Sequence, residues 1–303
     1  MNNTDYAIIE QTAAKYGAAV LKHEPMKNHT SFKIGGECDI MIKINCEALL
    51  CELMRQCTEN SINYYIIGKG SNILVSDKGL RGAVLLIGSD FATAHVDGDI
   101  IECKAGASLS AVCQLALQNS LTGLEFAYGI PGSVGGAVYM NAGAYGGEMK
   151  DVVVSCKYIN ERGEIKVLPL EKMDLSYRHS IFSELGYCIV SVKFRLQKGD
   201  KMKIKERMDT LMERRREKQP LEYPSAGSTF KRPEGDYAAR LIEACGLKGV
   251  GCGGAEVSTK HSGFVINKSN ATFDDVMGVV GIVKQRVKEQ TGVSLECEVL
   301  IME

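Results

Sequence analysis

Apolar residues recur at helical spacing in some stretches of the chain and at strand spacing in others. Leu49, Leu50, Leu53, Met54 and Cys57 fall on one face of a helix predicted over 46–60. Val276, Val279, Val280, Val283 and Val287 form the buried stripe of another over 274–290. Ser108 is placed to cap a helix running to about Gln118, with Leu109, Val112, Cys113 and Ala116 on one face. Ile204, Met208, Leu211 and Met212 share a face of the highly charged Lys198–Lys218 segment, which Pro220 ends. Shorter helices are expected over 5–19 and 236–245. The β-rich run Tyr64–Ile67 feeds Gly68-Lys69-Gly70-Ser71-Asn72 and then Ile73-Leu74-Val75, a strand, a tight glycine loop and more extended chain. Short strands are expected over 83–105 with a hairpin turn at Asp97-Gly98, over 152–196 with a turn at Glu161-Arg162-Gly163, and at 254–257, 263–266 and 295–301. Residues 123–147 are dense in glycine and have no clean period. The whole reads as α+β, with a composition change and a domain boundary near residue 198.

At 303 residues the chain is long enough for about two domains and a large core without disulfides. Hydrophobic residues make up 45% and charged residues 24%, the balance of an ordinary globular protein. A net charge of −1 offers no field for holding nucleic acid or an anionic membrane. The 11 cysteines are odd in number and form no CxxC pair, which leaves metal knuckles and thioredoxin-like motifs unsupported. They read as reduced thiols, mostly small buried hydrophobes, in a cytoplasmic protein. The N-terminal MNNTDYAIIEQ lacks a basic region and an apolar run, so no signal peptide is expected, and no apolar run spans a bilayer.

Two glycine-rich segments carry the chemistry. In Gly68-Lys69-Gly70-Ser71-Asn72, glycine lets the backbone approach a phosphate and successive N–H groups can form an anion nest; the alternative is a plain strand–turn–strand. Ile73 occupies the third glycine position of a Rossmann fingerprint and a strand follows, so that motif is excluded. The second segment runs from Gly129-Ile130-Pro131-Gly132-Ser133-Val134-Gly135-Gly136 to Asn141-Ala142-Gly143-Ala144-Tyr145-Gly146-Gly147. Its seven glycines in 19 residues cost much entropy on folding, which close packing against a flat phosphorylated ligand would explain. Together the segments point to a dinucleotide held by backbone amides outside a Rossmann fold.

These strings, with NHTSFKIGG at 28–36, YRHSIF at 177–182, PSAGSTFKRP at 224–233, AEVSTKHSGFVIN at 255–267 and LECEV at 295–299, resemble the UDP-N-acetylenolpyruvoylglucosamine reductase family in order and spacing. The shorter, second subtype is the closer likeness. The resemblance implies a vanillyl-alcohol-oxidase-like (PCMH-type) FAD-binding fold with a C-terminal α+β substrate domain. It implies an N-terminal helix over 1–27, an FAD-binding domain over 28–198 split near 78, and a substrate domain over 199–303. It implies FAD as cofactor, NADPH as co-substrate, and UDP-N-acetylglucosamine-enolpyruvate as the substrate reduced to UDP-N-acetylmuramate in peptidoglycan synthesis, hence in cell-wall growth, cell shape and division. The expected protein is a monomer that binds no metal, nucleic acid or membrane.

The FAD ligands implied are Gly68, Lys69, Gly70, Ser71, Asn72, Pro131, Gly132, Ser133, Gly135, Gly136 and Asn141. Hydride addition to an enolpyruvyl ether builds enolate-like charge, which needs a cation and hydrogen-bond donors in place beforehand and an acid to protonate C2. Arg178 matches the family arginine that stabilises the charge, its fork suited to a planar carboxylate; the alternative is a surface salt bridge. Ser228 matches the serine proton donor, against a turn serine. Glu298 matches the third catalytic residue and, if protonated, could donate a hydrogen bond. Period two puts Glu296 and Glu298 on one side, so the residues alone leave that choice open. Cys297 stands where the family pattern has proline. Arg214 and Lys218, four apart on a helix, could bind the UDP diphosphate or form a solvated charged face. Lys231 and Arg232 are further substrate candidates. His29, His179 and His261 could equally be packing histidines. Another flavin oxidoreductase of this fold and a non-catalytic FAD- or UDP-sugar-binding module are the competing readings.

Overall fold

The computed structural model describes residues 6–303. Residues 1–5, part of the N-terminal stretch read above, lie outside the described residues. Its helices are α1 (Ala7–Lys15), α2 (Glu47–Glu59), α3 (Leu109–Gln118), α4 (Val134–Tyr139), α5 (Ile181–Leu185), α6 (Lys201–Lys218), α7 (Ala238–Ala244) and α8 (Phe273–Thr291). The chain divides into two compact units. Unit 1 takes the chain up to Lys22, Asp39–Lys69 and Arg81–Arg214; unit 2 takes His23–Cys38, Gly70–Leu80 and Arg215–Glu303. The last division falls inside α6.

In unit 1, a five-stranded antiparallel sheet orders Ile165–Pro169, Val153–Ile159, Cys188–Arg195, Ile100–Lys104 and Ala94–Asp97. Cys188–Arg195 is central, and its first five residues are buried without alternation, as a strand covered on both faces requires. The Asp97-Gly98 turn joins the last two strands as expected, with Asp97 paired to Ile100. Tyr64–Ile67 runs parallel to Leu80–Leu86 in the register Tyr64↔Ala83. The predicted stripe of α2 is fully buried, and Gln56 joins it by donating from Nε2 to Thr12 Oγ1 of α1 at 2.8 Å. Truncating any one of those buried leucines to alanine costs about 2–5 kcal/mol. Ser108 caps α3, its Oγ accepting the Ala111 N–H at 3.1 Å.

In unit 2, α8 packs its valine stripe against the three-stranded sheet Gly251–Cys252, Ala255–Val257 and Val265–Asn267. Thr272 and Asp275 form a capping box at its start. Hydrogen bonds from the Thr272 and Gly254 N–H groups hold the Asp275 carboxyl below its usual range. Leu300–Met302 pairs in parallel with Ile73–Val75. The strand predicted over 295–301 is thus shorter than expected, preceded by an isolated bridge between Phe230 and Cys297.

The cysteines are all free thiols. Burial pushes Cys57, Cys103, Cys113 and Cys188 up to about 12, so they carry no thiolate at neutral pH and are inert hydrophobes. No helix among the described residues is long and apolar enough to cross a membrane.

Candidate active site

The glycine segment at 129–147 contains a helix too short for any periodicity to reveal. Ser133 is its N-cap, 3% exposed, with Oγ accepting the Gly136 N–H at 3.4 Å. The cap lies against the chain before α3: Leu109 N–H donates to Gly132 O at 3.1 Å, Val134 N–H to Ala107 O at 2.8 Å and Gly135 N–H to Ala105 O at 2.9 Å. A Cβ on Gly135 would sit 2.8 Å from the Ala105 Cβ, and one on Gly68 would collide with Ser133 Oγ. Glycine leaves room there for the Ala105 methyl and the Ser133 hydroxyl, and Gly68 is brought onto Ser133 within unit 1. The amides of Val134, Gly135 and Gly136 are committed to protein acceptors. What the glycines provide is close apposition of two segments. Gly70, Ser71 and Asn72 belong to unit 2.

Arg178 lies in unit 1 at the tip of a two-residue turn. Ser176 and His179 exchange backbone hydrogen bonds of 3.2 Å each, and Arg178 has φ +56°. The guanidinium carbon lies 5.2 Å from the Tyr177 ring centroid, within cation–π range. Ile181 N–H donates to Met173 O at 2.8 Å, closing the loop that carries the turn. Beside it, Asp174, His179 and Glu184 offer ligand atoms within 4.8 Å of one another, the one such group among the described residues. Exposed acidic groups of this kind are common without an ion.

Ser228 and Glu298 are neighbours in unit 2. Glu298 N–H donates to Thr229 O at 2.8 Å and Lys231 N–H to Glu296 O at 2.9 Å, on either side of the Phe230–Cys297 bridge. Thr229, 2% exposed, is itself fixed: its N–H reaches Gly263 O at 2.8 Å and its Oγ1 accepts the Val265 N–H at 2.9 Å. On the other side Asn72 holds Glu298, donating from Nδ2 to its carbonyl at 3.2 Å and accepting the Leu300 N–H at 2.9 Å. The pairing puts the two glutamates in different surroundings. Glu298 is 8% exposed at the inner end. At the outer end Glu296 is open to solvent and paired with Lys231 at 3.3 Å.

The remaining candidates are scattered. Arg214 and Lys218 are exposed on α6, and Arg232 stacks on the Tyr237 ring at 4.7 Å. Arg215, between the first two, is 6% exposed and donates to Gln219 Oε1 at 3.1 Å. It was missed, although the signal was available: Ile204, Met208 and Leu211 continue at helical spacing to position 215, so an arginine stands on the apolar stripe. Burying that charge is costly without compensation. His261 packs edge-on against Phe264 at 4.9 Å and accepts the Gly263 N–H through Nδ1. Burial lowers its pKa, which keeps it neutral and favours the packing role.

Comparison with known proteins matches this arrangement at both ends of the chain. The model of an FAD-binding domain matches residues 39–168, and that of the UDP-N-acetylenolpyruvoylglucosamine reductase C-terminal domain matches residues 219–302. A UDP-N-acetylenolpyruvoylglucosamine reductase of Clostridium novyi is 52% identical over 277 residues, 91% of this chain and 90% of its own length. One of Caldanaerobacter subterraneus is 49% identical over 280 residues, 92% of each chain. The crystal structure of the Thermus caldophilus reductase of the same name superposes with a TM-score of 0.80 at 32% identity, over 94% of this chain and 99% of that one. The α+β fold with an FAD-binding domain expected from the sequence is borne out.

Proposed function

The chain belongs to the family of UDP-N-acetylenolpyruvoylglucosamine reductases, and from that premise we infer which of its residues carry the reaction. It is an FAD-dependent oxidoreductase that uses NADPH to reduce UDP-N-acetylglucosamine-enolpyruvate to UDP-N-acetylmuramate, a peptidoglycan precursor. Bound FAD would supply hydride transfer between NADPH and C3 of the enolpyruvyl group. In our reading the segment 28–198 holds FAD and 199–303 the UDP-sugar, a division supported by the extents of the two family matches. Gly68, Lys69, Pro131, Gly132, Ser133, Gly135 and Gly136 line the flavin, with Gly70 and Ser71 continuing the first loop.

Arg178 neutralises the enolate-like charge that develops on the substrate carboxylate, Ser228 delivers a proton to C2, and Glu298 is the third catalytic residue. The observation that supports this assignment is the pairing of Thr229 O with Glu298 N–H at 2.8 Å, which brings the backbone next to Ser228 against buried Glu298, while exposed Glu296 pairs one step further out with Lys231. A serine hydroxyl is a weak acid, so its proton is resupplied by a neighbour or by water. Arg215, buried on α6, is the stronger candidate for the substrate diphosphate than exposed Arg214 or Lys218. Action as a monomer in the cytoplasm, supporting cell shape and division, completes the reading; the free thiols suit a reducing compartment.

Product analysis tests it. NADPH oxidation should depend on UDP-N-acetylglucosamine-enolpyruvate and yield UDP-N-acetylmuramate in equal amount. Oxidation of an alcohol or hydroxy acid in place of that reduction would favour the oxidase reading.

A further inference from the structure

We propose that Asn141 is a positioning residue for Arg178, holding the turn that carries the guanidinium and making no contact with the flavin. This rests on the reading of Arg178 given above, and it replaces the cofactor role that the sequence assigned to Asn141. The Asn141 side chain is buried, with its residue 1% exposed, and each part of its amide is engaged within the protein. Nδ2 donates to Ser176 O at 3.0 Å and to Glu148 Oε2 at 2.6 Å, and Oδ1 accepts the Lys150 N–H at 3.0 Å. A primary amide has two N–H hydrogens, so the donors are used in full.

Ser176 is the residue on which the turn closes. Its carbonyl accepts the His179 N–H at 3.2 Å as well as the Asn141 amide, so both lone pairs of one oxygen are occupied, one closing the turn and one anchoring it. A second anchor lies beyond the tip: Ser180, 0% exposed, donates from Oγ to Tyr139 O at 2.6 Å. Both anchors end on Tyr139–Asn141, the C-terminal end of α4, whose N-cap is Ser133 of the glycine segment. Arg178 thus hangs from the same short helix that the flavin-side loop begins. Its φ of +56° is a conformation that a non-glycine residue keeps only where the surroundings enforce it. Without the Asn141 amide the tip is free to relax, and the guanidinium leaves the position at which charge develops. A catalytic group displaced by about 1 Å can cost about 10²-fold in rate.

The test compares Asn141→Ala, Asn141→Asp and Arg178→Ala with the wild type, all loaded with FAD. In Asn141→Asp a carboxylate faces the Ser176 carbonyl and the Glu148 carboxylate, which repel it; Asn141→Ala avoids that repulsion should the first variant fold poorly. For both we expect FAD affinity and flavin reduction by NADPH within about twofold of wild type, and reoxidation of the reduced flavin by the enolpyruvyl substrate slowed about 10²-fold. Hydrogen exchange of the apo-protein should rise in the peptide spanning 174–180 and stay unchanged in the glycine segment. The double variant Asn141→Ala/Arg178→Ala should be no slower in that second step than Arg178→Ala alone, since a residue acting through another adds nothing once the other is gone. Weakened FAD binding with an intact second step would make Asn141 a cofactor ligand and overturn the proposal. Parallel loss of both steps, or additive loss in the double variant, would overturn it as well. An Arg178→Ala protein with a normal second step would instead sink the reading of Arg178, a different failure.

Discussion

The turn around Arg178 in unit 1 and the pair Ser228–Glu298 in unit 2 are held by different balances of side-chain and main-chain bonds. Arg178 sits on a strained tip anchored by side chains, Asn141 Nδ2 and Ser180 Oγ. Beside Ser228, Thr229 is held by main-chain bonds to Gly263 O and from Glu298 N–H, and the Asn72 side chain holds the Glu298 carbonyl. A side-chain anchor is removed by one substitution, whereas a backbone ladder survives most of them. Unit 1 should therefore lose geometry while it keeps its fold. In unit 2 removing a functional group should cost chemistry and leave the geometry intact.

The largest effect that would sharpen this contrast is expected of Ser228→Ala. Its backbone neighbours are held by main-chain hydrogen bonds, so flavin reduction by NADPH should remain near wild type while reduction of the enolpyruvyl substrate falls about 10²–10⁴-fold. Equal losses in the two half-reactions, measured by stopped flow, would show that Ser228 is not the proton donor.

Thr229→Val tests the ladder itself. Valine keeps the shape and the backbone bonds but strands the Val265 N–H that Thr229 Oγ1 accepts at 2.9 Å. The expected cost is about 1–3 kcal/mol in chemical denaturation, with the second half-reaction changed far less than by Ser228→Ala. A collapse of that step equal to the Ser228 loss would mean that the ladder is no more robust than the Arg178 turn.

Glu47→Gln probes the unit 1 side more gently. Glu47 begins α2 and pairs with Lys104, just before the Ala105 backbone that receives Gly135, and with Lys157 at 3.5 Å. Burial alone would raise its carboxyl, but the hydrogen bond and charge of Lys104, aided by Lys157, outweigh that and hold it below the usual value. A depressed folded-state pKa stabilises above the unfolded value and is lost as pH falls through the folded one. The variant should be less stable by about 1 kcal/mol at neutral pH, and the gap should shrink as pH falls below the ordinary glutamate range. A gap that persists in acid would assign the effect to packing. Smallest of all, Lys231→Ala should move stability by less than about 0.5 kcal/mol, since its partner Glu296 is solvent-exposed. A raised KM for the UDP-sugar in that variant would restore Lys231 as a substrate contact.

Much of the fold was legible because it is written locally. The stripes of α2 and α8, the Ser108 cap and the Asp97-Gly98 turn each involve residues a few positions apart, where periodicity and capping rules operate. The helix α4 was illegible because six residues, two of them glycine, carry no period. The role of Asn141 was hidden because its partner Ser176 lies 35 residues on, and Asn72 meets Glu298 across 226. Arg215 was legible in principle, since only the apolar stripe had to be extended by one turn. That Glu298 is buried and Glu296 exposed depends on depth along a pairing, a tertiary quantity that a period of two does not encode.

The central claim is that this chain binds FAD and uses it in two separable half-reactions. The most direct test is the anaerobic absorption spectrum of the purified protein through two additions. The flavin bands should be present, should bleach on NADPH, and should return when UDP-N-acetylglucosamine-enolpyruvate is added, with one UDP-N-acetylmuramate formed per flavin. A protein that binds no flavin when FAD is supplied, or one whose bleached spectrum the enolpyruvyl substrate fails to restore, would contradict it.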